Sequence, residues 1–299
     1  MIAVEHHYAE INGSRMHYVR AGRGERLVLL LHGFPEFWWS WRHQIGPLSE
    51  QYTVVAPDLR GYNESAKPNW GYEPDVLVQD IVSLIDTVGF ERAVVVGHDW
   101  GGALAWLTAI ARPWRVEQLV VLNAPHPALF PPRDRINLRQ LLRSWYIFWF
   151  LIPWLPEQML RAQNFHSLDI TFKPLMRDPA RFSEDDLAQF KQAMARPGAL
   201  TAALNYYRAL VLVGLRGMLR GTGMRVTLPT LLIWGEADAY LGTELLDGTD
   251  RFVDDLRIHR IANCSHWVQQ QRPDLVNRLL LEFLADAATP LEHDRDAGQ

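Results

Sequence analysis

Apolar residues follow two rhythms along this chain, and the places where each holds predict its architecture. Short runs rich in β-branched residues, Tyr52–Ala56, Ala93–Val96, Leu119–Leu122 and Pro229–Trp234, read as buried strands. Between them, Val76, Ile81, Leu84, Ile85 and Val88 recur at helical spacing and predict an amphipathic helix over residues 74–89, ended by Gly89. A further helix is predicted over 101–111 and is stopped by Pro113. Residues 7–20 and 26–31 predict an opening pair of strands, joined by a turn at Ala21-Gly22-Arg23-Gly24. Alternating strands and helices imply a largely parallel sheet covered on both faces.

The alternation breaks at Pro125-His126-Pro127 and resumes at Pro229. Residues 135–151, 157–164, 184–195 and 199–215 carry helical patterns and no strand pattern. The expected organisation is therefore one α/β core from residues 1–127 and 223–299, interrupted by an all-helical cap at 128–222. Beyond the cap, a strand at 229–234, a helix near 241–247, a strand near 256–262 and a helix near 272–285 complete the core. The polar end from Thr289 to Gln299 is expected to fray.

Composition narrows the function. The chain has 299 residues, 48% hydrophobic and 21% charged, with a formal net charge of −4. That is the profile of an ordinary globular protein without the clustered basic face of a nucleic-acid binder. A single cysteine, Cys264, excludes an intramolecular disulfide and zinc-type spacing. The first residues lack the basic start and apolar stretch of a secretory signal, so a cytoplasmic, cofactor-free enzyme is expected. Trp145–Ile152 is too short to span a bilayer and is soon interrupted by Pro153, so no stable membrane insertion is expected. Monomer and homodimer both stay open.

The chemistry centres on Gly97-His98-Asp99-Trp100-Gly101-Gly102, set between a buried strand and a helix start. A turn this sharp holds its central side chain above the sheet, in the manner of a nucleophile elbow. Here that side chain is a carboxylate, which attacks carbon and forms an ester with the protein itself. A helix-capping role for Asp99 is the plainer alternative. Leu31-His32-Gly33-Phe34-Pro35-Glu36 leaves a strand end where a loop can lean over the elbow, so that the backbone N–H groups of Phe34 and Trp100 point at one oxyanion. His266, after the last predicted strand, stands where a base is needed, and Asp238, beyond the strand at 229–234, is its expected partner, with Glu236 competing.

Taken together, these segments resemble the α/β-hydrolase-fold epoxide hydrolases over nearly the whole chain. The likeness rests on His32–Glu36 followed by Ser40-Trp41-Arg42-His43-Gln44, on Asp58-Leu59-Arg60-Gly61-Tyr62, on the elbow, and on Cys264-Ser265-His266-Trp267. The resemblance implies a mostly parallel central sheet flanked by helices, with an inserted helical cap. It also implies two cap tyrosines that hold the epoxide oxygen. Ser144-Trp145-Tyr146-Ile147-Phe148 matches the segment for one, Tyr146, and Asn205-Tyr206-Tyr207-Arg208 that for the other, Tyr207, with Tyr206 as the alternative. A phenol with a pKa near 10 donates a proton to a departing alkoxide without prior ionisation.

The implied reaction turns an epoxide and water into a vicinal diol through a hydroxyalkyl ester on Asp99, with no metal or organic cofactor. The nearest rival is a dehalogenase using the same aspartate. Haloalkane dehalogenases usually place asparagine after His-Gly, where this chain has Phe34; fluoroacetate dehalogenases place arginine after the nucleophile, where it has Trp100. A remoter rival is a ligand-binding homologue without turnover. Phe34, Trp100, Trp145 and Trp149, with Phe148, Trp154 and Phe165, are expected to line an apolar pocket.

Overall fold

A computed structural model describes residues 3–130, 138–216 and 224–286. Its strands are β1 Glu5–Ile11, β2 Ser14–Ala21, β3 Leu27–Leu31, β4 Thr53–Pro57, β5 Ala93–His98, β6 Val116–Leu122, β7 Thr230–Gly235 and β8 Leu256–Ile261. They form one eight-stranded sheet in the order β1-β2-β4-β3-β5-β6-β7-β8. Pairs involving β2 are antiparallel and every other pair is parallel. Every residue of β3, β4, β5 and β7 is buried, as continuous apolar runs in a doubly covered sheet must be. The edge strands differ: β1 alternates from His7 onward, and β8 leaves Arg257, Ile258 and Arg260 exposed.

The opening departs from expectation. Residues 7–20 hold a hairpin of their own, because Asn12 and Gly13 both adopt positive φ (49° and 70°) and make the two-residue turn that joins β1 to β2. β3 does not pair with β2 at all; β4 lies between them. Five fully buried apolar residues place β3 near the middle of the sheet, where both of its faces are covered.

The helices are α1 Arg42–Ser49, α2 Pro74–Thr87, α3 Trp100–Ala111, α4 Leu138–Arg143, α5 Trp145–Phe150, α6 Leu155–Phe172, α7 Glu184–Ala195, α8 Ala199–Arg216, α9 Val268–Gln271 and α10 Pro273–Asp286. Among the described residues, those between β6 and β7 form helices α4 to α8, short 3₁₀ turns and loops, and no strand of the sheet. The predicted helix over 135–151 divides into α4 and α5, and its first residues lie outside the described ones, as does the end from Thr289. The helix expected at 157–164 is longer and is interrupted at Ala162–Phe165. The one expected near 241–247 is only a 3₁₀ turn, Thr243–Leu246. Because β3, β5, β7 and β8 run parallel, the loops after all four emerge at the same edge of the sheet.

Candidate active site

Asp99 sits on that edge between β5 and α3, with φ 51° and ψ −118°. The strain is tolerated because the crossing elements come extremely close. A Cβ on Gly101 would lie 2.1 Å from the Leu31 carbonyl oxygen, and one on Gly33 would lie 2.4 Å from Cβ of Asp99. Only glycine permits either approach. Asp99 does not cap α3 with its side chain. Instead its Oδ1 accepts the Phe34 N–H at 2.8 Å, while Oδ2 lies 3.5 Å from Nε2 of His266. Trp100 opens α3, so its N–H belongs to the first turn, which has no intrahelical partner.

His266 Nδ1 is 2.7 Å from Oδ2 of Asp238, and both side chains are almost fully buried. Asp238 is held from three further directions, by Asn123 Nδ2 at 2.7 Å and by the backbone N–H groups of Tyr240 and Leu241 at 2.7 and 3.0 Å. Glu236 pairs with Arg260 on the surface and is not the partner of His266. Burial raises the carboxyls of Asp99 and Asp238, but the facing imidazole and the donated hydrogen bonds outweigh it and hold both below the usual range. The same competition runs in reverse on His266: burial lowers its pKa, Asp238 and then Asp99 raise it further, and it stands at about 10.

A cavity of about 460 Å³ opens above Asp99, walled by Phe34, Tyr146, Phe150, Tyr207, Tyr240 and His266 among others. Tyr146 and Tyr207 both line it and pack edge to face with ring centroids 6.1 Å apart. Burial, and next the charge of Asp99, push both phenols well above their ordinary pKa. Tyr206 points elsewhere: its hydroxyl donates to the Arg60 carbonyl at 2.8 Å. Trp145, Trp149 and Phe165 line the cavity. Trp100 does not; its indole packs edge-on against Tyr206 and Tyr207, because a residue on the first turn of α3 is covered by α8. Phe148 and Trp154 are exposed and also stand outside the wall.

The family follows from comparison. The model of a family described as alpha/beta hydrolase fold matches residues 26–273. Epoxide hydrolase 4 of Homo sapiens is 41% identical over 94% of this chain and 79% of its own length. The AB hydrolase superfamily protein YfhM of Bacillus subtilis (strain 168) is 41% identical over 95% of this chain and 99% of its own. Among solved structures, an inhibitor complex of the Bacillus megaterium epoxide hydrolase superposes with a TM-score of 0.85 at 34% identity, covering 93% of this chain and 100% of that one. An epoxide hydrolase from Vigna radiata gives a TM-score of 0.84 at 31% identity, covering 95% and 98%. The chain belongs to the α/β-hydrolase-fold epoxide hydrolases.

Within this epoxide hydrolase fold, two features of the site were not anticipated as such. Asn123, in the turn after β6, ties Asp238 to the backbone N–H of Gly235 (2.9 Å to Asn123 Oδ1), and its own φ is 42°. Behind His266 lies a second buried pair. Glu36 Oε2 is 2.8 Å from Nδ1 of His98, and Nε2 of His98 is 3.0 Å from the carbonyl oxygen of His266. Glu36 also accepts from the N–H of Gly33 and from Gln270. Burial raises its carboxyl, but the charge and hydrogen bond of His98 bring it below the ordinary value. Both residues stand inside the motifs that carried the resemblance, and their adjacency in sequence to Phe34 and Asp99 was the available signal. Among the described residues, no group of three or more His, Cys, Asp or Glu is arranged to hold a metal ion.

Proposed function

We propose that this chain hydrolyses epoxides to vicinal diols through a covalent ester on Asp99. The observation that carries the reading is a single cavity holding an ionised carboxylate, a buried imidazole 3.5 Å from it, and two un-ionised phenols opposite. Relatives and solved neighbours named as epoxide hydrolases support it.

In the first step Oδ2 of Asp99 attacks an epoxide carbon and the ring C–O bond breaks. The departing oxygen takes a proton from Tyr146 or Tyr207 while the other phenol holds it. Oδ1 is the oxygen already facing the Phe34 N–H, so it becomes the ester carbonyl oxygen. Burial and the nearby carboxylate keep both phenols protonated, as a proton donor requires.

In the second step His266 takes a proton from water, whose oxygen attacks the Asp99 carbonyl carbon. The N–H groups of Phe34 and Trp100 hold the resulting oxyanion. Before reaction His266 lies between two carboxylates, which is why its pKa stands at about 10. Esterification removes the Asp99 charge, so the imidazole loses one of its two anions and its pKa falls. The imidazolium gives its proton back to the phenolate left by the first step, and the neutral base is thereby armed by formation of the intermediate. Asp238 remains to fix the ring and stabilise the imidazolium. Collapse of the oxyanion breaks the ester C–O bond, the His266 imidazolium protonates the departing alkoxide to release the diol, and the proton left on the Asp99 carboxyl passes to His266, regenerating the carboxylate.

The helices α4 to α8, within the expected cap at 128–222, act in this reading as the lid that brings the tyrosines to the sheet. Single-turnover reaction with styrene oxide in ¹⁸O-water tests the scheme. The isotope is expected in the peptide containing Asp99 and not in the first diol. Label directly in the diol, with that peptide unlabelled, refutes it.

A further inference from the structure

Helix α4 is inside out, and α5 is apolar on both faces, its inward side carrying Tyr146 and Phe150. Leu138, Leu141, Leu142, Trp145, Phe148 and Ile152 follow one another at spacings of three, one, three, three and four residues, and all six are exposed. This keeps helical phase across the junction at Ser144, so the six form one outward stripe. The polar Gln140 and Ser144 face inward and are buried. Gln140 donates to Ser144 and to the Tyr240 carbonyl, and it accepts the Gly242 N–H. The stripe runs into Trp154, Leu155 and Met159, also exposed. Nine of the fourteen large apolar side chains exposed among the described residues lie within 138–159, which makes this a patch rather than scatter. The tip is built: Arg208 donates to the carbonyls of Phe150 and Ile152 at 3.0 Å each and pairs with Glu157 at 2.9 Å.

We infer that this face docks on the surface of an anionic lipid bilayer. Charge decides between lipid and a second copy of the chain. Residues 138–161 carry three arginines and one carboxylate, Glu157, which is buried on Arg208; Arg143 pairs with Glu244 at 3.8 Å, so Arg139 and Arg161 are the exposed cations of this segment, in a chain that is net −4 overall. A two-fold contact through this patch would set arginines of both copies on one another without an exposed carboxylate from the segment. Anionic headgroups match the arginines, and exposed tryptophans favour the interfacial layer. No helix among the described residues is long and apolar enough to cross a membrane, so the contact is peripheral. Leu142, Trp145 and Trp149 belong both to this segment and to the cavity wall, which puts the mouth of the cavity in the lipid-facing surface. An apolar substrate then passes from the bilayer to Asp99 without crossing bulk water.

Flotation of the full chain with phosphatidylcholine vesicles containing phosphatidylglycerol, against phosphatidylcholine alone, tests this without using activity. Binding to the anionic vesicles is expected, weakened by salt. Ile152→Ser combined with Trp154→Ser should weaken it by roughly tenfold, and Arg139→Glu with Arg161→Glu should remove most of the preference for anionic lipid. None of these four side chains lines the cavity. Absence of flotation overturns the proposal. So does self-association in sedimentation velocity that the Ile152/Trp154 variant abolishes while vesicle binding is unchanged, which would assign the face to a second copy.

Discussion

The two halves of the active centre are built on different principles. On the sheet side, each charged group hangs from a strand end and is held by named hydrogen bonds: Asp99 by Phe34, Asp238 by Asn123, Tyr240 and Leu241, His266 by Asp238. On the helical side, Tyr146 and Tyr207 are located mainly by ring packing, against Phe150, Tyr240, Phe34 and Trp100. The difference follows from charge. A buried carboxylate or imidazolium without partners costs several kcal/mol, so the sheet side is over-determined. A neutral phenol tolerates positioning largely by shape, with one side-chain hydrogen bond, from Trp100, acting on Tyr207. Tyr206 makes the contrast within one helix. A step of about 100° around α8 turns it from the cavity to the Arg60 carbonyl, and its hydroxyl becomes structural.

This contrast can be broken by substitution. Asp99→Asn should remove at least about 10⁴-fold of epoxide turnover, because no other group on the sheet side can form the ester. Tyr146→Phe and Tyr207→Phe should each slow ester formation by roughly 10- to 100-fold, and the pair together by about 10³-fold, since they share one proton-donating task. Rapid-quench measurement of the alkylation step distinguishes these. A single tyrosine variant as inactive as Asp99→Asn would erase the division proposed between the halves.

A second measurement sharpens the sheet side alone. The pKa of His266 stands at about 10 in the fold against an ordinary 6.5, so its pairing contributes stability fully present below pH 6.5 and lost as pH rises through about 10. The melting temperature of the parent chain should therefore fall more between pH 7 and pH 10 than that of His266→Gln. Parallel curves would show that the imidazolium is not held by the two carboxylates.

The smallest effect is expected at Tyr206→Phe. It leaves the Arg60 carbonyl without its donor and should cost about 1–3 kcal/mol in urea denaturation. The alkylation rate should stay within about twofold, because this hydroxyl does not face the cavity. A loss comparable to that of Tyr207→Phe would exchange the two assignments.

Much of this was readable from residue order. Buried apolar runs at 53–57, 93–98 and 230–235 become central parallel strands, and parallel strands must deliver their following loops to one edge. That brings Phe34, Asp99, Asp238 and His266 together whatever the details of packing. What escaped the sequence was non-local. Asn12-Gly13 is a legible hairpin turn, but the insertion of β4 between β2 and β3 depends on which strands find cover on both faces. The Glu36–His98 pair joins residues 62 positions apart, and Asn123 reaches Asp238 across 115. Neither partner can be read from spacing. Helical periodicity marks which residues of α4 and α5 share a face, but it does not say which way the face looks. Only the fold, by using Gln140 and Ser144 as inward anchors, turned the apolar side of α4 toward solvent. Local pattern determines elements and chain order determines their common edge; the partners of buried polar atoms and the outward face of a helix are decided where distant segments meet.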